Sequence, residues 1–344
     1  MKYLEITTRD TRYVYPTGRI RGLEKYLLKN TDFARIKEAK DFKESFQNLV
    51  RFYPYSESMK ICKFPEDFER GLDEEWKRTY LELLSFVPEP ELIELFWLEQ
   101  DFHNMKVLFK LYAQKKLPQE IDKIRYLSPS GTLSVDILIK AIAKEDFFYL
   151  PSFLKDVIKQ TMVMIEKGVS AREIEIFLDR VYIERFHLGL ISYNDDFLVE
   201  LGKRIIDSLN IKNFLRIKLW KREDEGKLLE EIIIDGGSIA KKLMVKLAGE
   251  PVDSLVSAIK GSEYALFIQK ALEEWREKSS LFILEKSLDE ILLDFTHKGF
   301  YITFGREPLI NYIMIKRLEI KKLRSLLRAR RACFSSSQIE EVGL

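Results

Sequence analysis

PEPELIELFWLEQDFHNMKVLFKLY, residues 88–112, sets apolar side chains among charges at steps of three and four, with Leu92, Leu95, Phe96, Met105, Leu108 and Phe109 carrying the pattern. That spacing gathers them along a helix of 3.6 residues per turn. Pro90 followed by Glu91 suits a first turn, where a missing N–H is tolerated and a carboxylate meets the positive helix end. The stretch predicts a helix over about 90–114. Two further stretches read the same way. Ser170-Ala-Arg-Glu173 has the form of a capping box ahead of IEIFLDRVYIERF, predicting a helix over about 172–190. REPLINYIMIKRLEIKKLRSLLRARRA, residues 306–332, has Pro308 near its start, apolar Leu309, Ile313, Ile320, Leu323 and Leu327, and a basic end that complements the helix dipole. It predicts the last long helix.

Composition agrees. Only 15 of 344 residues are glycine and 10 are proline, both below ordinary usage, so turns are few and elements long. The expected fold class is all-α. Apolar runs such as Leu95–Leu98 fall far short of a bilayer span, and the opening MKYLEITTRDTR carries charges where a signal peptide needs an apolar region, so export is not expected. Cys62 and Cys333 stand alone, which excludes a disulfide framework or a CxxC metal site and fits a reducing compartment. With 57 basic and 55 acidic side chains, no global field recruits nucleic acid.

Two seams interrupt the helical pattern: KLPQE (116–120) with YLSPSGTLS (126–134), and KREDEGK (221–227). They divide the chain into similar thirds, 1–127, 128–226 and 227–344, and similar thirds call for a repeat search. DFHNMKVLFK (101–110), DSLNIKNFLR (207–216) and KRLEIKKLRS (316–325) align as a polar helix face, 106 and then 109 residues apart from Asn104 to Asn210 to Glu319. About 30 residues upstream of each, an apolar-Asp pair recurs in GLDEEW, FLDRVY and SLDEIL. Two markers in three registers define a helical repeat.

TGRIRGLEKYLL (17–28), the two central stretches at 101–110 and 207–216, and above all FGREPLINYIMIKRLEIKKLRSLL (304–327) resemble the AC39-like family, the component of rotary V-type and A-type ATPases known as C in archaea and bacteria and d in eukaryotes. The likeness runs in order over nearly the whole chain, and only the tail CFSSSQIEEVGL departs from it. It implies three similar helical domains arranged as a pseudo-threefold funnel, peripheral on the cytoplasmic face of the membrane. It further implies a non-catalytic role in ion transport, with the central-shaft subunits of D and F type and the proteolipid rotor ring as partners. Arg19, Arg21 and Leu23 match the family's opening helix and are expected to join domains or line a rim.

The repeated polar residues are the candidate protein-interface set: Asp101, Asn104 and Lys106; Asp207, Asn210 and Lys212; Lys316, Glu319 and Lys321, with Arg324 and Arg328 beyond them. They either cap and pair helices inside each third or line a socket for a shaft. The run 316–331, with eight basic residues and one Glu, is either a solvated helix end or a surface for an acidic partner, an anionic membrane or nucleic acid.

Catalytic chemistry finds no foothold. His103, His187 and His297 fall one in each third but in non-equivalent places and without a ligand motif, so no metal is expected. Asp73, Glu74, Glu75, Asp195 and Asp196 read as first-turn residues. DGGSIAKK (235–242) lacks the phosphate-loop spacing, and Ser238 reads as an N-cap; neither a cofactor nor direct nucleotide binding is expected. Ser192 lacks a nucleophile elbow, and Cys62, flanked by Lys60 and Lys63 that could lower its pKa, lacks a base. A free-standing helical adaptor is the alternative reading, and an RNA-binding helical protein a third.

Overall fold

The computed structural model describes residues 10–114, 126–220 and 224–341. The seam KLPQE and the opening MKYLEITTR lie outside the described residues, as do residues 221–223 and 342–344. The regular elements are helical, with no strand among the described residues. In chain order the α-helices are α1 (Val14–Leu23), α2 (Asn30–Lys37), α3 (Phe42–Val50), α4 (Tyr55–Ser58) and α5 (Phe68–Leu84); then α6 (Pro90–Ala113), α7 (Val135–Lys144), α8 (Ser152–Glu166), α9 (Ala171–Ile191) and α10 (Asp196–Leu219). The last part holds α11 (Glu225–Ile232), α12 (Lys241–Lys246), α13 (Ser254–Ala258), α14 (Ala265–Lys278), α15 (Phe282–Thr296), α16 (Arg306–Arg331) and α17 (Ser336–Glu341). The three long helices expected from periodicity are α6, α9 and α16, each within two residues of its anticipated ends.

The junction of α8 and α9 shows how local sequence sets these ends. Gly168 takes a left-handed φ of 75°. Its N–H bonds Ile165 O at 3.0 Å while Val169 N–H bonds Met164 O at 3.0 Å, a Schellman stop. Ser170 then starts the next helix: its Oγ accepts from Glu173 N at 3.2 Å and Glu173 Oε2 accepts from Ser170 N at 3.1 Å. Stop and start occupy four consecutive residues, so the chain reverses without a long loop.

The chain forms two compact units, one of Lys77–Ser85 with Glu89–Tyr193, the other of Met1–Trp76, Phe86–Pro88 and Asn194–Leu344. In the first, α6 lies against α9. Phe96 meets Phe186 edge-on at 5.3 Å and Phe102 meets Tyr182 at 5.7 Å. Gly189 permits the close approach, because a Cβ there would stand 2.6 Å from a Leu95 methyl. Truncating a buried ring of this kind costs roughly 3–5 kcal/mol.

In the second unit, Ile211, Phe214 and Leu215 of α10 pack with Leu229 of α11, Met244 of α12, Ile268 of α14 and Leu288 of α15. α16 touches α1, α2, α3 and α15. Arg21, at the end of α1, donates to the carbonyls of Gly299, Phe300 and Ile302 at 2.7–3.0 Å and to Glu24, with its guanidinium 5.1 Å from the Phe300 ring centre. Arg19 instead sits over Phe86.

Candidate functional site

Asp101 and Asn104 stand one turn apart on α6, where they share a face, and both are fully buried. Asn104 grips one residue by both its backbone groups: Nδ2 donates to Ser128 O at 2.9 Å and Oδ1 accepts from Ser128 N at 2.8 Å. Asp101 accepts the N–H groups of Thr132 and Leu133 at 3.0 and 3.1 Å and the Thr132 hydroxyl at 2.6 Å. A turn has no ladder to satisfy its backbone, and a buried one must find other partners; a carboxamide supplies both a donor and an acceptor.

α10 repeats the four bonds to backbone groups, oxygen for oxygen. Asn210 Nδ2 donates to Ile234 O at 2.7 Å and Oδ1 accepts from Ile234 N at 2.9 Å, while Asp207 accepts from Ser238 N and Ile239 N, both at 3.0 Å. In both copies the partners lie 24, 31 and 32 residues downstream. Gly131 and Gly237 occupy the same place, where a Cβ would come within 2.2 Å of the Asp carboxylate. Ser238 is therefore not the expected N-cap: Asp207 holds its N–H, and α12 begins three residues later behind Ala240. Burial pushes the Asp101 carboxyl up to about 6 against the opposing hydrogen bonds, and burial raises Asp207 likewise.

The third copy is charged. Glu319 Oε2 accepts from the N–H of Leu28 at 2.6 Å and its Oε1 from the Tyr55 hydroxyl at 2.6 Å. Lys316, only 1% exposed, lies 3.0 Å from Glu75 and 2.8 Å from Glu319, with Nζ 4.5 Å from the Tyr55 ring centre. A carboxylate can only accept, so the ammonium balances what an amide balances internally in the other copies. Burial disfavours the charged Lys316, but Glu319 and Glu75 outweigh it and hold its pKa above the usual range. Burial, reinforced by the same two carboxylates, raises Tyr55 well above its own. The last long helix thus holds residues from the beginning of the chain.

The second marker supplies ion pairs. α5, α9 and α15 each present two carboxylates four apart: Glu69 and Asp73, Glu175 and Asp179, Glu285 and Asp289. Lys106 pairs with Asp179 at 2.6 Å and Lys110 with Glu175. Arg324 pairs with Asp73 at 2.7 Å and Arg328 with Glu69 at 2.5 Å. Arg216 pairs with Glu285 at 2.6 Å, and Asp289 goes to Lys321 at 2.6 Å. Exposed pairs of this sort contribute about 0–1 kcal/mol each, so their regularity fixes register more than stability.

The structure therefore brings ten of the eleven candidate residues into clasps and ladders, and leaves Lys212 outside both. Asp101, Asn104, Asp207, Asn210, Lys316 and Glu319 are buried; Lys106, Lys321, Arg324 and Arg328 reach solvent while paired to the chain's own carboxylates. Lys212 is partly buried and lies near Glu285 and Asp289 without bonding either. Sequence reasoning missed Leu28 and Tyr55, put Glu75 in a first turn, and did not link the stretches at 128–133 and 234–239 to α6 and α10. The 106-residue offset that aligned the helices also aligns SPSGTL with IDGGSI, and would have exposed the turns.

Other candidates take structural places. Asp73, Glu74 and Glu75 are not in a first turn, because α5 begins at Phe68. Asp195 caps α10 through Leu198 N at 3.1 Å and pairs with Arg306 at 2.9 Å. His103 Nε2 bonds Tyr126 O at 2.9 Å, and His297 stacks on Phe300. Burial pushes the Cys62 thiol up rather than down. No helix among the described residues is long and apolar enough to cross a membrane.

A repeated long helix whose polar residues bind the chain's own turns defines a helical repeat protein held by polar clasps. The chain matches the model of the family described as ATP synthase (C/AC39) subunit over residues 16–342; it belongs to that family and is a subunit of a rotary ATPase. It is 27% identical to the C subunit of the V-type sodium ATPase of Enterococcus hirae, over 94% of this chain and 95% of that protein. It is 26% identical to the C subunit of the A-type ATP synthase of Methanosphaera stadtmanae, over 96% and 88% respectively.

Proposed function

We propose that this chain is the non-catalytic coupling subunit between the central shaft, of D and F type, and the proteolipid rotor ring, peripheral on the cytoplasmic face. Family membership supports a place in the rotary complex. The observation that carries the finer reading is the third clasp. α6 holds the turn at 128–133, α10 holds the turn at 234–239, and α16 holds Leu28. With repeats divided at 1–127, 128–226 and 227–344, the long helix of each grips the start of the next, and the last grips the first. That cyclic order suits a three-part funnel, and an open adaptor has no need of it.

A coupling element must carry torque without storing twist. Close-packed helices with hydrogen-bonded buried polar groups resist deformation, and in this division the clasps would stiffen each repeat junction. Reconstitution tests the reading. Membranes containing the ring, mixed with a catalytic head and its shaft, should assemble and pump only when this chain is supplied; equal pumping without it refutes the proposal.

A further inference from the structure

The ladder is complete at two junctions and short of one carboxylate at the third. Lys106 has Asp179, and Arg324 has Asp73. Lys212, at the position equivalent to Lys106, should have Asp289, but Lys321 reaches across from α16 and takes it at 2.6 Å. Glu285 is held by Arg216 at 2.6 Å. Three cations of α10 and α16 thus face two carboxylates of α15, and among the described residues none lies within ion-pair distance of Lys212. Each of the four surrounding side chains remains 29–48% exposed, so the place is open to solvent.

We propose that Lys212 is the anchor for a carboxylate on an acidic segment of a neighbouring protein subunit in the rotary complex, which completes the third ladder. The chemistry favours one carboxylate over phosphate. The surplus is a single positive charge, and Glu285 and Asp289 repel a multiply charged oxyanion at close range. A partner carboxylate gains a half-desolvated ammonium, where an ion pair is stronger than at an open surface. Burial, with Lys321 and Arg216 nearby, already depresses the Lys212 pKa despite Glu285 and Asp289, a strain that an incoming anion relieves.

This inference rests on the proposed place in the complex, and one experiment separates the two. The assembled rotary complex is treated with a carbodiimide, which joins a lysine amine to a touching carboxylate as an amide with loss of water, and cross-linked peptides are identified by mass spectrometry. Lys212 should be joined to an Asp or Glu of another subunit. Cross-links from Lys212 only to Glu285 or Asp289, in a complex that contains the chain, overturn the anchor and leave the coupling role standing. Failure of the chain to enter the complex overturns both. Lys212→Gln should weaken retention in the complex about tenfold, a loss of about 1.4 kcal/mol, with Lys212→Arg restoring it and Lys227→Gln, a control on exposed α11, leaving it unchanged. Equal retention of Lys212→Gln refutes the anchor. Pyrophosphate added to the free chain should leave the Lys212 Nζ resonance unmoved; a saturable shift assigns the place to phosphate and overturns the proposal.

Discussion

Asn104→Ala removes both bonds that α6 makes to Ser128, at 2.9 and 2.8 Å, from a position with no solvent exposure. Alanine leaves one N–H and one C=O of a residue only 5% exposed without partners. Each orphaned group costs roughly 1–3 kcal/mol, so the substitution should cost about 2–6 kcal/mol. Asn210→Ala, which strips the equivalent bonds from Ile234 at 2.7 and 2.9 Å, should cost the same within error. Asn104→Asp is more informative, because it keeps an acceptor for Ser128 N–H but turns a donor into a buried charge facing Ser128 O; it should cost at least as much as alanine. Two compact units make a single global melt hard to interpret. Native-state amide exchange reads the local opening energy instead. The Ser128 amide should lose protection in Asn104→Ala while Ile234 keeps it, and the reverse should hold in Asn210→Ala. A change under about 0.5 kcal/mol at the gripped amide would refute the clasp as a stabilising contact.

Lys316→Met leaves Glu75 and Glu319 buried without their cation and should destabilise the chain by roughly 3–5 kcal/mol in urea titration, with lost exchange protection at Leu28; a near-neutral result sinks the charged clasp. Asp101 has a native pKa of about 6 against an ordinary value of 3.8, so its contribution to stability is greatest below the lower value, falls as pH rises between the two and stays low above about 6. Stability profiles of wild type and Asp101→Asn should therefore differ in slope between about pH 4 and 6, and parallel profiles contradict the raised pKa. Ser170→Ala should cost about 1 kcal/mol by removing the α9 cap, visible as faster exchange of the Glu173 amide; protection that does not change refutes the cap.

Local chemistry made much of the fold legible. The ends of α6, α9 and α16 follow from Pro90, the Ser170–Glu173 box and the basic close of residues 306–331, because caps and periodicity act within a turn or two. The candidate site was legible in position but not in role. Asp101, Asn104, Asp207 and Asn210 were found by repetition, yet a polar residue on a helix reads alike whether it faces a partner or its own chain. The roles of the asparagines depend on Ser128 and Ile234, each 24 residues away, and those of the aspartates on turn amides 31 and 32 residues away.

Sequence by itself determined the helical class, the long elements and the family, since these rest on residues close together or on patterns repeated along the chain. Only tertiary structure decided that Glu319 meets Leu28, 291 residues distant, that Lys316 is buried between carboxylates, and that Lys321 takes the aspartate Lys212 would otherwise hold. Burial and long-range pairing turn identical side chains into clasps, ladder rungs or an unmatched charge, and neither is encoded at the position where the residue stands.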